Sequence, residues 1–190
     1  MTQPLHKKRE CNIDSFGFII LCPERNIGGL RNTVSSIRTA FPDFPYICMV
    51  GDDASKVELL EMKNICETHQ GSDTITSLIN QGMKKSKTEW NCVVFAGSWL
   101  KHNIYRKFDL FVRSEKDILF PVVDGKTNFY DGSMNGIIIH KRTFEEVGEF
   151  STSPMQKGGY NELELIKLFW SFNAIEKGCT FKAIVGMRVC

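Results

Sequence analysis

The chain has 190 residues, of which 42% are hydrophobic and 24% charged, and its formal net charge is +2. These values predict one globular domain and exclude a disordered or fibrous chain. The small charge also argues against a nucleic-acid partner, because such proteins cluster Lys and Arg on one face.

The first fifteen residues are polar and are interpreted as an N-terminal leader, so residues 16–190 are expected to form the single domain. The leader lacks the apolar core of a secretory signal, and no apolar run approaches the ~20 residues that span a bilayer. We therefore expect a cytoplasmic protein without a membrane span. Cys22, Cys48 and Cys92 fall in or beside apolar runs, which favours reduced core thiols, and no zinc-type spacing occurs.

Short apolar runs alternate with segments of helical periodicity along the chain. The first run, from Phe16 to Cys22, is continuously apolar and stops at Pro23, which is typical of a strand buried on both faces. Further strands are predicted at 46–50, 91–95, 118–123, 136–139 and 180–185. Helices are predicted near 30–41, 57–65, 75–83, 104–112 and 161–177.

The last predicted helix has a strongly apolar pattern. Gly178 is expected to follow its end as the C′ residue. The side chains expected to face the core are Leu165, Ile166, Phe169 and Trp170.

This alternation predicts an α/β fold with a mostly parallel sheet and helices on both faces. Such sheets bind ligands at the carboxyl ends of their strands, so the loops after Leu21, Val50 and Phe95 are the places to search.

Two of these loops carry polar candidates. Pro23-Glu24-Arg25-Asn26 can present donors and acceptors to a base or ribose, or it is ordinary surface. In Asp52-Asp53, one carboxylate can accept hydrogen bonds from a pyrimidine N–H or from ribose hydroxyls. The other interpretation is that Asp52 or Asp53 only caps the following helix.

Six stretches with distinctive residues occur in a defined order. They are Phe18 to Asn26, Gly51-Asp52-Asp53-Ala54-Ser55, Asn80-Gln81-Gly82 with Ser86 and Glu89-Trp90, Asn135-Gly136, Phe144 with Val147-Gly148-Glu149-Phe150, and Asn161-Glu162-Leu163-Glu164-Leu165. Together they resemble the family 2 glycosyltransferases of the GT-A fold, from Phe16 to about Val185.

The resemblance implies a nucleotide-sugar donor, most simply a UDP-sugar, and a glycan or other hydroxyl acceptor. It implies that Asp53 meets the nucleobase and that Pro23 to Asn26 line the base and ribose pocket. Glu162 matches the general base of inverting members, and a carboxylate is chemically competent to take the acceptor proton. Alternatively, Glu162 and Glu164 only favour a helix N-terminus through its dipole.

One motif departs from the family pattern. Where the family has Asp-x-Asp at the end of the central strand, this chain has Ala96-Gly97-Ser98, which stays near the donor by position but offers no carboxylates. No metal ligand is therefore assigned, and Mn²⁺ or Mg²⁺ is expected only if another site exists. Asp124 and Asp131 are candidates for such a site, or they form turns with the glycines that follow them.

Other residues near these loops keep two interpretations each. Lys101, His102 and Arg106 either stand in as cations for a leaving phosphate or lie on the surface. His140 either contacts an acceptor or phosphate or is structural, and Trp99 either stacks on a sugar or fills the core.

The sequence thus predicts a glycosyltransferase that is inverting and independent of an Asp-x-Asp metal. The alternative is a catalytically inactive GT-A domain that binds a nucleotide or glycan or serves as a partner module. A nucleotidyltransferase is a third option, for which Gly28-Gly29 with Arg25 and Arg31 gives a faint loop signal.

Overall fold

The computed structural model of the chain describes residues 16–72, 74–100, 118–123, 126–127, 134–152 and 162–185. Its strands are β1 (Phe16–Cys22), β2 (Tyr46–Gly51), β3 (Thr68–Gly71), β4 (Trp90–Phe95), β5 (Ile118–Val123), β6 (Lys126–Thr127), β7 (Ile138–His140) and β8 (Phe181–Val185). Its helices are α1 (Ile27–Ala40), α2 (Lys56–Ile65), α3 (Ile75–Lys85), α4 (Lys141–Val147) and α5 (Glu162–Glu176).

The strands of the described ranges form one eight-stranded sheet in the order β3-β2-β1-β4-β7-β5-β6, with β8 beside β5. Strands β1, β2, β3 and β4 pair in parallel, and so do β5 and β8. Strand β7 runs antiparallel to both of its neighbours, β4 and β5. The predicted α/β fold with a mostly parallel sheet is therefore confirmed.

Strand β1 lies at the centre of the core, and all seven of its residues are buried. Its alternate side chains point to opposite faces of the sheet. On one face Phe18 and Ile20 belong to the same apolar cluster as Leu30 of α1, and on the other Ile19 belongs with Leu78 of α3. Helices thus cover both faces, which explains why the strand is apolar throughout.

The structure also contains elements that the apolar pattern did not predict. Strand β3 has the sequence Thr-His-Gln-Gly and lies at the edge of the sheet, where partly exposed polar side chains are tolerated. Strand β6 has two residues, and α4 has seven, too few to show a clear period. The helix predicted at 104–112 lies outside the described residues.

Helix α5 confirms one prediction and corrects another. Gly178 has φ +79° and its amide bonds to the Ile175 carbonyl, while the Cys179 amide bonds to that of Ala174, which forms a Schellman end. Phe169, predicted to face the core, is 53% exposed because Ile166 and Trp170 occupy the inward face. Neither α5 nor any other helix in the described ranges is long and apolar enough to cross a membrane.

Candidate functional site

Three turns meet at one edge of the sheet. Strands β2, β1 and β4 are adjacent and parallel, so the turns that follow Gly51, Cys22 and Phe95 share the carboxyl edge. The structure therefore brings together the predicted 23–26 loop, Asp53 and the Ala96-Gly97-Ser98 turn. This is the edge at which open α/β sheets bind ligands.

The turn after β1 is closed by its own backbone. The Arg25 amide donates to the Cys22 carbonyl at 3.3 Å, and the Ile27 amide donates to the Arg25 carbonyl at 2.9 Å. Within the turn Pro23 is half-buried and Glu24 exposed. Asn26 caps helix α1, since its Oδ1 accepts the Gly29 amide at 2.7 Å.

Arg25 occupies the left-handed region with φ 54° and forms an ion pair with Asp53, at 3.3 Å between a guanidinium nitrogen and Oδ2. The two side chains are 40% and 50% exposed. A left-handed non-glycine residue costs of order 1–3 kcal/mol, whereas an exposed ion pair contributes about 0.2–1 kcal/mol. The conformation of Arg25 is therefore not accounted for by the stability of this pair.

Asp53 does not cap the helix that follows it. Ser55 is the N-cap of α2, and its hydroxyl accepts the Glu58 amide at 3.3 Å while its own amide donates to the Glu58 carboxylate at 2.8 Å. The Ser55 hydroxyl and then its amide lower the pKa of Glu58, with a further contribution from the Arg25 charge. The capping interpretation of Asp53 is wrong, and its half-exposed carboxylate faces the shared edge.

The turn after β4 is fastened to helix α1. The Gly97 amide donates to the Thr33 hydroxyl at 2.9 Å, and that hydroxyl donates to the Ser98 carbonyl at 2.9 Å. One helical turn later, Ser36 Oγ accepts the Leu100 amide at 3.3 Å. Gly97 itself has φ +103°, a conformation that favours glycine.

Ser98 occupies the place of the second aspartate of the family's Asp-x-Asp motif, and it is 5% exposed. The Asn135 amide donates to its hydroxyl at 3.0 Å, and Asn135 Oδ1 also accepts the Phe95 amide at 3.1 Å. The Ser98 oxygen is thus engaged with protein, and Ala96 has no donor atom in its side chain. Among the described residues no group of three or more His, Cys, Asp or Glu side chains could hold a metal ion.

Glycine allows α1 to approach this turn. A Cβ on Gly29 would lie 2.9 Å from the Gly97 nitrogen and 2.6 Å from the Asn26 side-chain nitrogen. Both distances are too short for a side chain. Gly28 and Gly29 lie in the first turn of α1, so they do not form the glycine-rich loop of the nucleotidyltransferase interpretation.

Glu162 is the first residue of α5. Strand β8 is parallel to β5, which has the direction of β4, and α5 leads into β8 through the turn at Gly178. A helix that precedes such a strand runs opposite to it, so α5 begins on the carboxyl side of the sheet. The assignment of Glu162 as general base remains a prediction.

A buried lysine on the same helix was not found from the sequence. Lys167 is 1% exposed and lies between the core residues Ile166 and Trp170 in sequence. Its only sequence signal is a single charge within an apolar stretch. Lysines are rarely buried so completely without a partner, and Lys167 does interact with other groups.

Of seven further candidates, His140 lies away from the shared edge, Trp99 is exposed, and five lie outside the described residues. The register pairs His140 with Trp90, at the start of β4, and His140 caps α4 by accepting the Arg142 amide at 3.2 Å. His140 is therefore structural and lies at the opposite edge. Trp99 is 52% exposed and does not fill the core. The others, Lys101, His102, Arg106, Asp124 and Asp131, lie outside the described residues.

One apolar cluster of the core contains four cysteines. Cys22, Cys48, Cys66 and Cys92 are all buried there, and none of them is in a disulfide. Hydrogen bonds to the Cys22 and Cys66 thiols, together with burial, raise the pKa of Cys48. Burial alone raises the pKa of Cys92. The prediction of reduced core thiols is confirmed for Cys22, Cys48 and Cys92.

Asn80 and Gly82 belong to one of the six stretches that resemble the family, and the structure shows a packing role for each. Asn80 donates to the Phe150 carbonyl at 2.8 Å and accepts its amide at 2.9 Å, so it ties α3 to the segment after α4. A Cβ on Gly82 would lie 2.5 Å from a methyl group of Ile19, so glycine lets α3 pack on the sheet.

Comparison with known proteins gives a likeness of fold. No family model and no curated protein matches the chain. Among solved structures, it is similar to residues 1–349 of TarS from S. aureus, a GT-A-like glycosyltransferase, with a TM-score of 0.60 and 15% identity over 91% of this chain and 59% of that one. For full TarS the TM-score is 0.62 at 15% identity, over 92% of this chain and 36% of that chain.

A third similar structure is TarS 1–349 in complex with UDP, with a TM-score of 0.61 at 15% identity, over 92% of this chain and 59% of that chain. The chain thus spans less than two thirds of each of these proteins. At this level of identity the likeness concerns the fold, and it agrees with the mostly parallel α/β sheet described above.

Proposed function

We propose that this chain is a glycosyltransferase that moves a sugar from a nucleotide-sugar, most simply a UDP-sugar, to a hydroxyl acceptor. The proposal includes inversion at the sugar and independence from an Asp-x-Asp metal. The proposal rests on the sequence resemblance to the family 2 glycosyltransferases of the GT-A fold and on the observed α/β sheet, which agrees with it.

The observation that carries the proposal is the position of Asp53. Its carboxylate stands half-exposed at the carboxyl edge of the sheet, beside the 23–26 loop, and it is free of the capping role that Ser55 fills. A carboxylate that caps no helix at a ligand-binding edge is suited to accept an N–H from a base. The UDP complex of TarS 1–349 supports a nucleotide-sugar donor.

The proposed reaction is a single displacement. The acceptor oxygen forms a bond to the anomeric carbon, and the bond from that carbon to the diphosphate oxygen breaks, so the nucleoside diphosphate leaves with the electron pair. The proton of the acceptor hydroxyl passes to the Glu162 carboxylate. One displacement inverts the configuration at the anomeric carbon.

The leaving diphosphate needs positive charge, and Ala96 and Ser98 do not hold a cation for it. We propose that protein cations fill this role, with Lys101, His102 and Arg106 as the candidates. Backbone groups of the β4 turn are already ordered by Thr33 and Asn135, so the turn needs no metal to keep its shape.

The experiment is a thermal-shift titration of the purified chain with UDP and UDP-sugars. A ligand that binds only the folded state stabilises it, by about 2.7 kcal/mol when the free ligand is at a hundred times the Kd. The melting temperature rises as a result. Asp53→Ala should lose most of that shift. Absence of any shift at millimolar ligand would refute nucleotide binding.

A second candidate is favoured by one observation. The β4 turn has no carboxylate at either position of the Asp-x-Asp motif, and its Ser98 hydroxyl is bound to Asn135. Both features are expected of a domain without metal-assisted catalysis. Such a protein would bind a nucleotide or glycan without transfer. Nucleotide binding with no hydrolysis or transfer across a broad donor and acceptor screen would favour this candidate.

A further inference from the structure

Trp99 lies directly after the β4 turn, and much of its side chain is outside the core. It is 52% exposed, whereas its neighbours Ser98 and Leu100 are 5% and 2% exposed. Within the described ranges the other exposed large hydrophobic residues lie in α2 and α5, and Trp99 is the one at a turn of the carboxyl edge. A single exposed apolar residue is ordinary on a protein surface, so a role for Trp99 has to follow from its surroundings.

The backbone on both sides of Trp99 is held in place by α1. The carbonyl of Ser98, which precedes it, accepts the Thr33 hydroxyl at 2.9 Å. The amide of Leu100, which follows it, donates to Ser36 Oγ at 3.3 Å. Tryptophan has only two side-chain torsions, so an indole on a fixed backbone offers a large contact area at a small loss of conformational entropy. The ring is thus presented before any ligand arrives.

Trp99 lies away from the predicted base pocket. Strand β1 separates β4 from β2, whose turn carries Asp53. Neighbouring strands are about 4.8 Å apart, so the β2 and β4 turns are about 10 Å apart along the carboxyl edge. On the other side of β4 lies β7, which shares an apolar cluster with α5. An acceptor that gives its proton to Glu162, at the start of α5, has to lie on this side of the nucleotide.

A pyranose ring is suited to an exposed indole at this place. One face of the ring presents C–H bonds, while its hydroxyl groups point outward, so the apolar face packs on the indole and the hydroxyls keep their hydrogen bonds. Nucleobases also stack on aromatic rings, but the proposed function places the base at the Asp53 turn. The donor sugar is tethered to its diphosphate, whereas an acceptor arrives from solvent and needs a surface that holds it.

We propose that Trp99 binds the acceptor and that the acceptor is a saccharide, with one pyranose ring packed on the indole. This assignment rests on the proposed function and deepens it by naming the class of acceptor. Trp99 supplies affinity for the acceptor, and the proton transfer is left to Glu162.

Tryptophan fluorescence reports on this contact. The chain has three tryptophans, and the other two, Trp90 and Trp170, are 1% and 3% exposed, so iodide quenches mainly Trp99. Quenching is measured at constant ionic strength with UDP, with UDP-glucose or UDP-N-acetylglucosamine, and with UDP plus millimolar cellobiose, lactose, mannobiose or diacetylchitobiose. UDP fills the nucleotide site without allowing transfer.

We expect at least one disaccharide, added with UDP, to lower the quenching constant about twofold or more, because it covers the exposed indole face. By calorimetry, Trp99→Leu should weaken the Kd of that disaccharide roughly tenfold, and Trp99→Phe should stay within about threefold of the wild type. Neither variant should change the Kd of UDP. The matched control is Phe172→Leu, a 53% exposed aromatic residue of α5, which should change neither Kd.

Four results would overturn the assignment. Equal shielding of Trp99 by UDP alone would mean that the indole stacks on the base. Equal shielding by a UDP-sugar without disaccharide would assign the indole to the donor sugar. No shielding by any disaccharide, although UDP binds, would remove the acceptor role and leave the proposed function standing. Failure of the folded wild type to bind UDP and both UDP-sugars would refute the proposed function and this assignment with it.

Discussion

The Thr33 hydroxyl accepts the Gly97 amide and donates to the Ser98 carbonyl, both at 2.9 Å, and so joins the second turn of helix α1 to the turn after β4. Thr33 is fully buried. Because this hydroxyl both donates and accepts, it fixes the backbone of the turn after β4. This turn occupies the place of the Asp-x-Asp motif in the family that the sequence resembles.

Thr33→Val should therefore destabilise the protein by about 1–3 kcal/mol, because it leaves the buried Ser98 carbonyl and the partly buried Gly97 amide without their partner. Valine preserves the shape of the side chain. Urea denaturation gives the free energy of unfolding. The control is Thr39→Val on the exposed face of α1, where the hydroxyl bonds only to the Ser35 carbonyl and a change within about 0.5 kcal/mol is expected. Equal losses in the two variants would contradict this account.

Nucleotide binding should be nearly independent of Mg²⁺ and Mn²⁺. Ala96 offers no ligand atom, and the buried Ser98 hydroxyl is bound to Asn135. The Kd of UDP, measured with either metal and with a chelator, should agree within about twofold. Replacing Ala96 and Ser98 with aspartate should introduce metal dependence if the turn keeps its shape. A strong metal requirement in the wild type would point to a metal site elsewhere.

Glu162→Gln should keep nucleotide binding and lose turnover by roughly 10²-fold to 10⁴-fold, the usual contribution of a positioned base. Glutamine has nearly the same helix propensity, so the melting temperature should change little. Glu164→Gln, two residues later on the same helix, is the matched control and should retain activity. If Glu162→Gln is as active as the wild type, the base lies elsewhere.

Substitutions at Ser55 and Asp53 should separate capping from binding. Ser55→Ala removes the N-cap of α2 and should cost about 1 kcal/mol of stability while the thermal shift with UDP persists. Asp53→Asn should show the reverse, with little change in stability and a much smaller shift. Loss of the shift in both variants would mean that the cap and the binding site are not independent.

The Glu58 carboxylate predicts a pH dependence. Its pKa in the folded protein is lowered from 4.5, so its contribution is present above that value and is lost as the pH falls through the lowered pKa. Wild type should therefore be more stable than Glu58→Gln near neutral pH, and the difference should shrink from about pH 5 downward. The melting temperatures of both proteins, measured from neutral to acid pH, test this. A difference that grows toward acid pH would contradict the assigned direction.

Local patterns were sufficient for much of the fold. Strands β1 and β5 were predicted to the residue, because each is a continuous apolar run with clear ends in the sequence. The end of α5 at Gly178 was also readable, since a left-handed C′ position favours glycine. Position after a parallel strand was enough to predict that Arg25 and Asp53 share an edge, because the carboxyl ends of such strands coincide.

Contacts between distant segments decided the rest. One exception is local: Ser55 and Glu58, three residues apart, form the capping box of α2, and this spacing excludes Asp53 as the cap. Ser98 meets Asn135 across 37 residues and Thr33 meets Gly97 across 64, so the chemistry of the β4 turn depends on chain packing. Packing against other elements likewise determined which face of α5 is buried. The helix is apolar on more than one side, so the sequence pattern did not indicate that Trp170 is buried and Phe169 exposed.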